Sequence, residues 1–161
     1  MIEEKIAFKL QEELMKIPLI ANSKQDIFKQ MGGLLIEKGY AKPEYIDALN
    51  EREEEYPTGI LVGDIGVAIP HTDAKYVNKT AISVGVLDKS IPFELMGCDE
   101  GTVDVDIVFM LSVSDSQNHL LLLQKIMGIF QKQEILMSIK NSKSGAEVLK
   151  ILEKQLNIEE M

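Results

Sequence analysis

The run VDVDIVFMLSV, residues 103–113, limits the folds open to this chain more than any other stretch. It alternates apolar and acidic residues at first and then becomes continuously apolar, which is typical of a strand that is covered on both faces. Two further runs rich in Val, Ile and Ala, GVAIP at 66–70 and TAISVGVL at 80–87, are bounded by Gly, Pro, Asp and Asn. These runs also predict strands, so the centre of the fold is expected to be a β-sheet.

Two segments with helical spacing come before these strands. A short strand is predicted at 17–20, and a helix follows it, because Ser23 and Asp26 resemble a capping box. Gly39 suits the left-handed position that follows a helix end. A second helix is expected to begin at Pro43 and to end in the charged run NEREEEYP.

Two more helices are predicted after the strands. The third begins at Asp115 or Ser116 and runs through NHLLLLQKIMGIFQK, and a fourth covers GAEVLKILEKQL at 145–156. We expect the buried face of the third helix to consist of Leu120, Leu123, Met127 and Phe130. The predicted fold is α/β: a single layered domain over residues 1–161, with a small mixed β-sheet flanked by helices on both faces.

Charge and cysteine content exclude several classes of function. The chain has 26 acidic and 17 basic residues, a net charge of -9, and its basic residues form no stripe, so a nucleic-acid partner is not expected. The acidic start rules out a secretory signal, and no apolar run approaches the roughly 20 residues that span a bilayer. The single cysteine, Cys98, cannot form an internal disulfide. These features predict a cytoplasmic protein with no direct membrane insertion.

His71 is the first candidate for chemistry. It follows Pro70 at the end of a predicted strand, where α/β sheets commonly expose reactive groups. The proline ends strand pairing and helps to aim the next side chain. A turn histidine in contact with solvent explains the same pair of residues, and the short motif alone favours that ordinary interpretation.

His119 and Arg52 are the other candidates. His119 lies in the first turn of the third helix, where backbone N–H groups and the helix dipole favour an anion. If it meets His71, a neutral imidazole could accept a phosphoryl group while the helix terminus and the second imidazole stabilise the oxygens. Arg52 could present a planar fork to that group. The ordinary alternatives are a first-turn histidine and a solvated helix end.

Other residue patterns in the sequence do not match a known binding or catalytic site. The glycines of TGILVGDIG lack the Gly-Lys-Ser/Thr ending of a nucleotide-binding loop. His71, Asp73 and His119 could nominally bind a metal, but their spacing matches no recurring site, so neither a metal nor a cofactor is predicted. Cys98 has acidic neighbours and is expected to be inert.

The stretch NEREEEYPTGILVGDIGVAIPHTD, followed by VGVLDKSIPFELMG, VDIVFMLSV and NHLLLLQKIMGIF, resembles the fructose- and mannitol-type IIA components of the bacterial phosphoenolpyruvate-dependent sugar phosphotransferase system. The resemblance covers nearly the whole chain. YPTGI and PFELMG are most similar to the galactitol-specific subgroup. The segment between Thr58 and His71 is longer than the usual pattern by about three residues, which we interpret as a loop insertion.

The resemblance implies a phosphotransferase component that uses a phosphohistidine. His71 would take the phosphoryl group from the phosphocarrier HPr on Nε2, with His119 and Arg52 stabilising it. A cysteine of a IIB component would receive it, for sugar uptake through the membrane component IIC. The alternative is a regulatory module, similar to the nitrogen-related IIA proteins, whose phosphorylation state controls protein partners.

Overall fold

A computed structural model describes residues 10–97 and 100–156. This part of the chain forms a five-stranded sheet of β1 (Met15–Leu19), β2 (Gly59–Val62), β3 (Ile65–Ala68), β4 (Ala81–Glu94) and β5 (Thr102–Ser112). The strand order is β1-β4-β5-β3-β2. The β1–β4 and β3–β5 pairs are parallel, whereas β4–β5 and β2–β3 are antiparallel. The predicted mixed sheet is therefore confirmed.

Helices cover both faces of this sheet, as predicted. One side carries a helical segment made of α1 (Lys24–Ile27), a π-turn (Phe28–Gly32) and α2 (Gly33–Glu37), together with α3 (Tyr45–Glu55). The other side carries α4 (Ser116–Phe130), α5 (Gln133–Lys140) and α6 (Gly145–Leu156). Two apolar cores result, one on each face of the sheet.

The position of strand β5 between two helical layers explains why its sequence is continuously apolar. Ile107 and Phe109 point into the core beneath α4, α5 and α6, whereas Val108 and Met110 point into the core beneath α1, α2 and α3. Successive side chains of a strand alternate between faces, so a central strand under two helical layers needs apolar residues at every position.

The helix termini agree with several predictions. The Ser23 hydroxyl accepts a hydrogen bond from the Asp26 backbone N–H at 3.0 Å, and the Asp26 carboxylate accepts one from the Asn22 N–H at 3.0 Å. Gly39 has a φ of 85°, which confirms the left-handed position after the first helical segment. Helix α3 begins at Tyr45, two residues after the predicted proline, because residues 43 and 44 form a turn.

The strands extend beyond the predictions in two places. Between Thr58 and His71, where we expected a loop insertion, an unpredicted strand β2 precedes the predicted strand and forms a hairpin with β3, in which Gly63 takes a φ of 59° at the turn. Strand β4 continues past the predicted end at Leu87 to Glu94. Pro92 is tolerated there because that half of β4 pairs with β5 alone, so a backbone N–H on its other edge is not needed.

The buried face of α4 also differs from the prediction. Leu120 is 60% exposed and Met127 is 37% exposed, and Leu123 is only half-buried, so of the four predicted residues only Phe130 is fully buried. The core side consists of Leu122, Ile126, Ile129 and Phe130. Helix α5 was not predicted at all. Cys98 and the predicted ends of the domain at residues 1 and 161 lie outside the described residues.

Candidate active site

His71 lies just beyond the end of β3, in a backbone segment that is fixed on both sides. The Pro70 carbonyl accepts a hydrogen bond from the Leu111 N–H at 3.0 Å. His71 Nδ1 lies 2.7 Å from the Ile69 carbonyl oxygen. Because a carbonyl can only accept, Nδ1 carries the proton and Nε2 of the neutral ring keeps its lone pair.

His119 meets His71 across the site. It lies in the first turn of α4, and the two ring centroids are 4.9 Å apart with an angle of 63° between the ring planes. The two histidines of the chain are separated by 47 intervening positions but share one site because β5 leads from the β3 edge directly into α4. An imidazole pair of this kind can present two nitrogens to one bound group.

The start of α4 differs from the expected open anion site. The Asp115 carboxylate accepts hydrogen bonds from the Asn118 backbone N–H and from Asn118 Nδ2, both at 2.8 Å. This cap occupies one of the amides that could have faced an anion and places a negative charge at the helix N-terminus. Positive charge for a bound anion must therefore come mainly from elsewhere.

Arg52 supplies that charge from the last turn of α3. Its Nη1 lies 3.9 Å from Asp73 Oδ1, and its guanidinium lies 4.6 Å from the centre of the Tyr56 ring. Its Nε is buried and forms no hydrogen bond within residues 10–97 and 100–156. A buried donor without an acceptor is uncommon, and Arg52 lines the same cavity as His71 and His119.

Both imidazoles are held neutral. Burial lowers the pKa of His71, and the positive charge of Arg52 lowers it further, against the raising effects of the Ile69 carbonyl and Asp73. Burial, His71 and Arg52 together lower the pKa of His119 to about 4. At neutral pH the site therefore presents unprotonated imidazole nitrogens beside a permanent cation.

Two adjoining cavities share His71 and Arg52. The smaller, of about 250 Å³, is also lined by Asp73, Ser116 and His119. The larger, of about 570 Å³, extends over apolar side chains. Its exposed apolar side chains are Tyr56, Met96 and Met127. The site thus consists of a pocket that contains both imidazoles and Arg52, next to a larger groove with exposed apolar side chains.

Sequence analysis missed the role of Glu53 in the local structure. Its side chain is 3% exposed, and it accepts hydrogen bonds from the Thr58 N–H at 2.6 Å and the Thr58 hydroxyl at 2.8 Å. Burial raises the pKa of Glu53, and the two bonds from Thr58 oppose that rise. The available signal was its spacing of four residues from Leu49 and eight from Tyr45, which places an acid on the buried face of α3.

Within the residues that the structure describes, no group of three or more His, Cys, Asp or Glu side chains is arranged to hold a metal ion. None of the described helices combines the length and apolarity that crossing a membrane requires.

The sequence is similar to a family of known proteins. Residues 8–155 match the family model described as "Phosphoenolpyruvate-dependent sugar phosphotransferase system, EIIA 2". The mannitol-specific phosphotransferase enzyme IIA component of Halalkalibacterium halodurans is 32% identical over 146 residues, which are 89% of this chain and 93% of that protein. The galactitol-specific EIIA component of Escherichia coli K12 is 30% identical over 112 residues, which are 70% of this chain and 74% of that protein.

The fold also matches a solved complex. The structure described as a complex of the mannitol enzyme IIA and phosphorylated enzyme IIB from Escherichia coli superposes with a TM-score of 0.74. The match covers 91% of this chain and 99% of that chain at 20% identity, so it establishes the fold alone.

Proposed function

The chain belongs to the EIIA 2 family of the phosphoenolpyruvate-dependent sugar phosphotransferase system, and from that premise we propose that His71 Nε2 is the atom on which it carries a phosphoryl group. The general phosphocarrier role comes with the family. The observation that carries the assignment to His71 is the hydrogen bond from Nδ1 to the Ile69 carbonyl, because it leaves Nε2 as the nucleophilic nitrogen.

In the proposed step the Nε2 lone pair attacks the phosphorus of a phosphohistidine on HPr. The new N–P bond forms as the old one breaks, and the electron pair of the broken bond returns to the donor imidazole. The Nδ1 proton of His71 stays in place, and the Ile69 carbonyl stabilises the positive charge that develops on the ring. A neutral acceptor ring is required, and the lowered pKa of His71 provides it near pH 7.

Arg52 and His119 are the proposed stabilisers of the transferred group. The guanidinium of Arg52 provides positive charge, and its buried Nε is a donor available to a phosphoryl oxygen. The neutral His119 ring, 4.9 Å from His71 between ring centroids, can donate one N–H to another oxygen. Together they would stabilise the phosphoryl oxygens in place of the N-terminus of α4, which is capped.

The apolar side chains beside the site fit brief docking of partner proteins. Four exposed apolar side chains lie around the two cavities: Leu120, Tyr56, Met96 and Met127. Exposed apolar groups of this kind mark interaction surfaces, and a modest patch suits a short-lived complex. We propose HPr as the donor and a IIB component as the acceptor. The likeness to an enzyme IIA solved with a phosphorylated enzyme IIB supports the second partner.

The onward step would place the phosphoryl group on a cysteine of IIB. A thiolate would attack phosphorus as the N–P bond to His71 breaks, and the sugar would then be phosphorylated during uptake through IIC. A galactitol-type system is our preferred assignment because of the YPTGI and PFELMG motifs. The identities to the galactitol- and mannitol-specific components, 30% and 32%, do not separate the two types. We propose a cytoplasmic location for the protein, because phosphorylation by HPr would take place there.

The test is phosphorylation of wild-type, His71→Ala and His119→Ala proteins by phosphoenolpyruvate, enzyme I and HPr. We expect acid-labile, alkali-stable label on wild type, slower labelling of His119→Ala, and none on His71→Ala. Equal labelling of wild type and His71→Ala would refute the assignment.

A second arm offers the labelled protein to galactitol- and mannitol-type IIB components. Transfer to either supports transport and identifies the type. Failure of both, with a complex that depends on phosphorylation and contains another protein, would support the regulatory alternative instead.

A further inference from the structure

A buried carboxylate lies behind the candidate site and is not used by the proposed transfer. Glu53 follows Arg52 directly in α3, but its side chain points into the protein and is 3% exposed. Its Oε2 accepts the Thr58 N–H at 2.6 Å, and its Oε1 accepts the Thr58 hydroxyl at 2.8 Å. Both carboxylate oxygens therefore hold the residue that precedes strand β2.

Thr58 is also hydrogen-bonded to the segment that ends in His71. Its hydroxyl oxygen accepts the Ile69 N–H at 3.3 Å, and the carbonyl of the same Ile69 accepts the His71 Nδ1–H at 2.7 Å. Three hydrogen-bonded steps thus connect the end of α3 with the imidazole. The Pro70 carbonyl is held separately by the Leu111 N–H.

Glu53 sets the direction of these bonds. Burial raises the pKa of Glu53, and the two bonds from Thr58 oppose that rise and favour the ionised form. In that form the carboxylate can only accept, so the single hydroxyl proton of Thr58 must point to it. The lone pairs of the hydroxyl oxygen are then left for the Ile69 N–H. A neutral amide at position 53 could accept from only one of the two Thr58 donors and would turn its own N–H₂ toward the other.

We propose that Glu53, acting through Thr58, is a positioning residue that holds the Ile69 carbonyl against His71 Nδ1 and thereby selects the tautomer with an unprotonated Nε2. The inference rests on the proposed phosphoryl transfer at His71 for its functional meaning. The positioning itself is a property of the unphosphorylated protein. Without the constraint, the Ile69–His71 segment shifts, the Nδ1 bond weakens, and the tautomer that carries its proton on Nε2 becomes populated.

The test compares Glu53→Gln and Thr58→Val with two controls. Glu54→Gln changes the neighbouring carboxylate of α3, which is exposed, and Thr58→Ser keeps the hydroxyl. The readout is the ¹⁵N chemical shift of both His71 ring nitrogens in the unphosphorylated proteins, since these shifts report the tautomer. The second readout is the rate of phosphorylation by phospho-HPr.

We expect wild type, Glu54→Gln and Thr58→Ser to show an unprotonated Nε2. Glu53→Gln and Thr58→Val should show a mixture of tautomers and a phosphorylation rate that is lower by about tenfold. If these two variants keep the wild-type tautomer, the proposal is overturned, even when their melting temperatures fall, because a purely structural role predicts that pattern.

Two features keep the test decisive. Should Glu53→Gln fail to fold, the Thr58→Val and Thr58→Ser pair gives the same comparison without altering the carboxylate. Should wild type accept no phosphoryl group on His71, the proposed function fails, yet the tautomer measurement still decides whether Glu53 positions the ring.

Discussion

The histidine pair predicts a specific dependence of stability on pH. The pKa of His119 is lowered to about 4 in the folded protein by burial and by the nearby His71 and Arg52, against an ordinary value near 6.5. Below pH 6.5 the unfolded chain binds a proton at this ring and the folded chain does not. The free energy of unfolding therefore falls as the pH drops from about 6.5 toward 4.

The magnitude follows from the size of this shift. At pH 5, which lies about 1.5 units below the ordinary pKa and still above the folded one, the shift corresponds to about 2 kcal/mol of lost stability. The ring is partly exposed, and solvent screening reduces the expected loss to about 1 kcal/mol. The lowered pKa of His71 adds a loss of the same sign.

The assay is urea unfolding at pH 7 and pH 5 of wild type and His119→Gln. The loss of stability between the two pH values should be about 1 kcal/mol smaller in the variant, since contributions from the carboxylates and from His71 largely cancel in the difference. An NMR titration of wild type should place the midpoint of His119 near 4. An equal loss in both proteins, or a midpoint at 6.5 or above, would show that the folded protein does not lower the pKa of His119.

Three further predictions concern packing and docking. Leu122→Ala should lower the free energy of unfolding by about 3 kcal/mol because the side chain is fully buried, whereas Leu120→Ala should change it by less than about 0.5 kcal/mol and slow phosphorylation by HPr. Similar urea midpoints for the two variants would contradict this. Gly66→Ala should lower the free energy of unfolding by about 2 kcal/mol, because the added Cβ would overlap the Asp104 carbonyl oxygen. An unchanged melting temperature would argue against that contact. Raising the salt concentration should slow phosphorylation by HPr at least about threefold if the net charge of -9 steers a basic partner, and a constant rate would exclude steering.

The layered fold could be predicted from the sequence because its strongest signals are local. The apolar run of β5 shows two covered faces, and the Ser23 cap marks the start of the first helical segment. The hairpin of β2 and β3 could not be predicted in the same way. Strand β2 has four residues, and its pairing with β3 depends on contacts that only the folded sheet provides.

Helix α4 shows why the candidate site was harder to predict than the sheet. Four consecutive leucines, 120–123, make two different stripes apolar, and helical spacing alone does not say which stripe faces the core. The structure buries the stripe that contains Leu122 and Ile126 and exposes the one that contains Leu120 and Met127. The exposed stripe lies at the cavities, so the wrong choice of buried stripe also concealed the apolar surface that we propose for docking.

The burial of Glu53 had only one signal in the sequence, its spacing from Leu49 and Tyr45 on the apolar face of α3. Glu53 belongs to a run of acids that has the composition of a solvated helix end, and only the hydrogen bonds from Thr58 make its burial favourable. Arg52 and His71 were identified from the sequence as candidates, but their shared cavities depend on how α3 meets the end of β3.

The transfer of a phosphoryl group to His71 is tested most simply by a ¹⁵N–³¹P correlation spectrum of the protein after phosphorylation by phospho-HPr. The chain has two histidines, so His119→Gln and His71→Gln variants assign every imidazole signal. We expect a phosphorus bound to Nε2 of His71, with the Nδ1 proton retained. A phosphorus bound to His119, to Nδ1 of His71, or to no imidazole nitrogen would contradict this expectation.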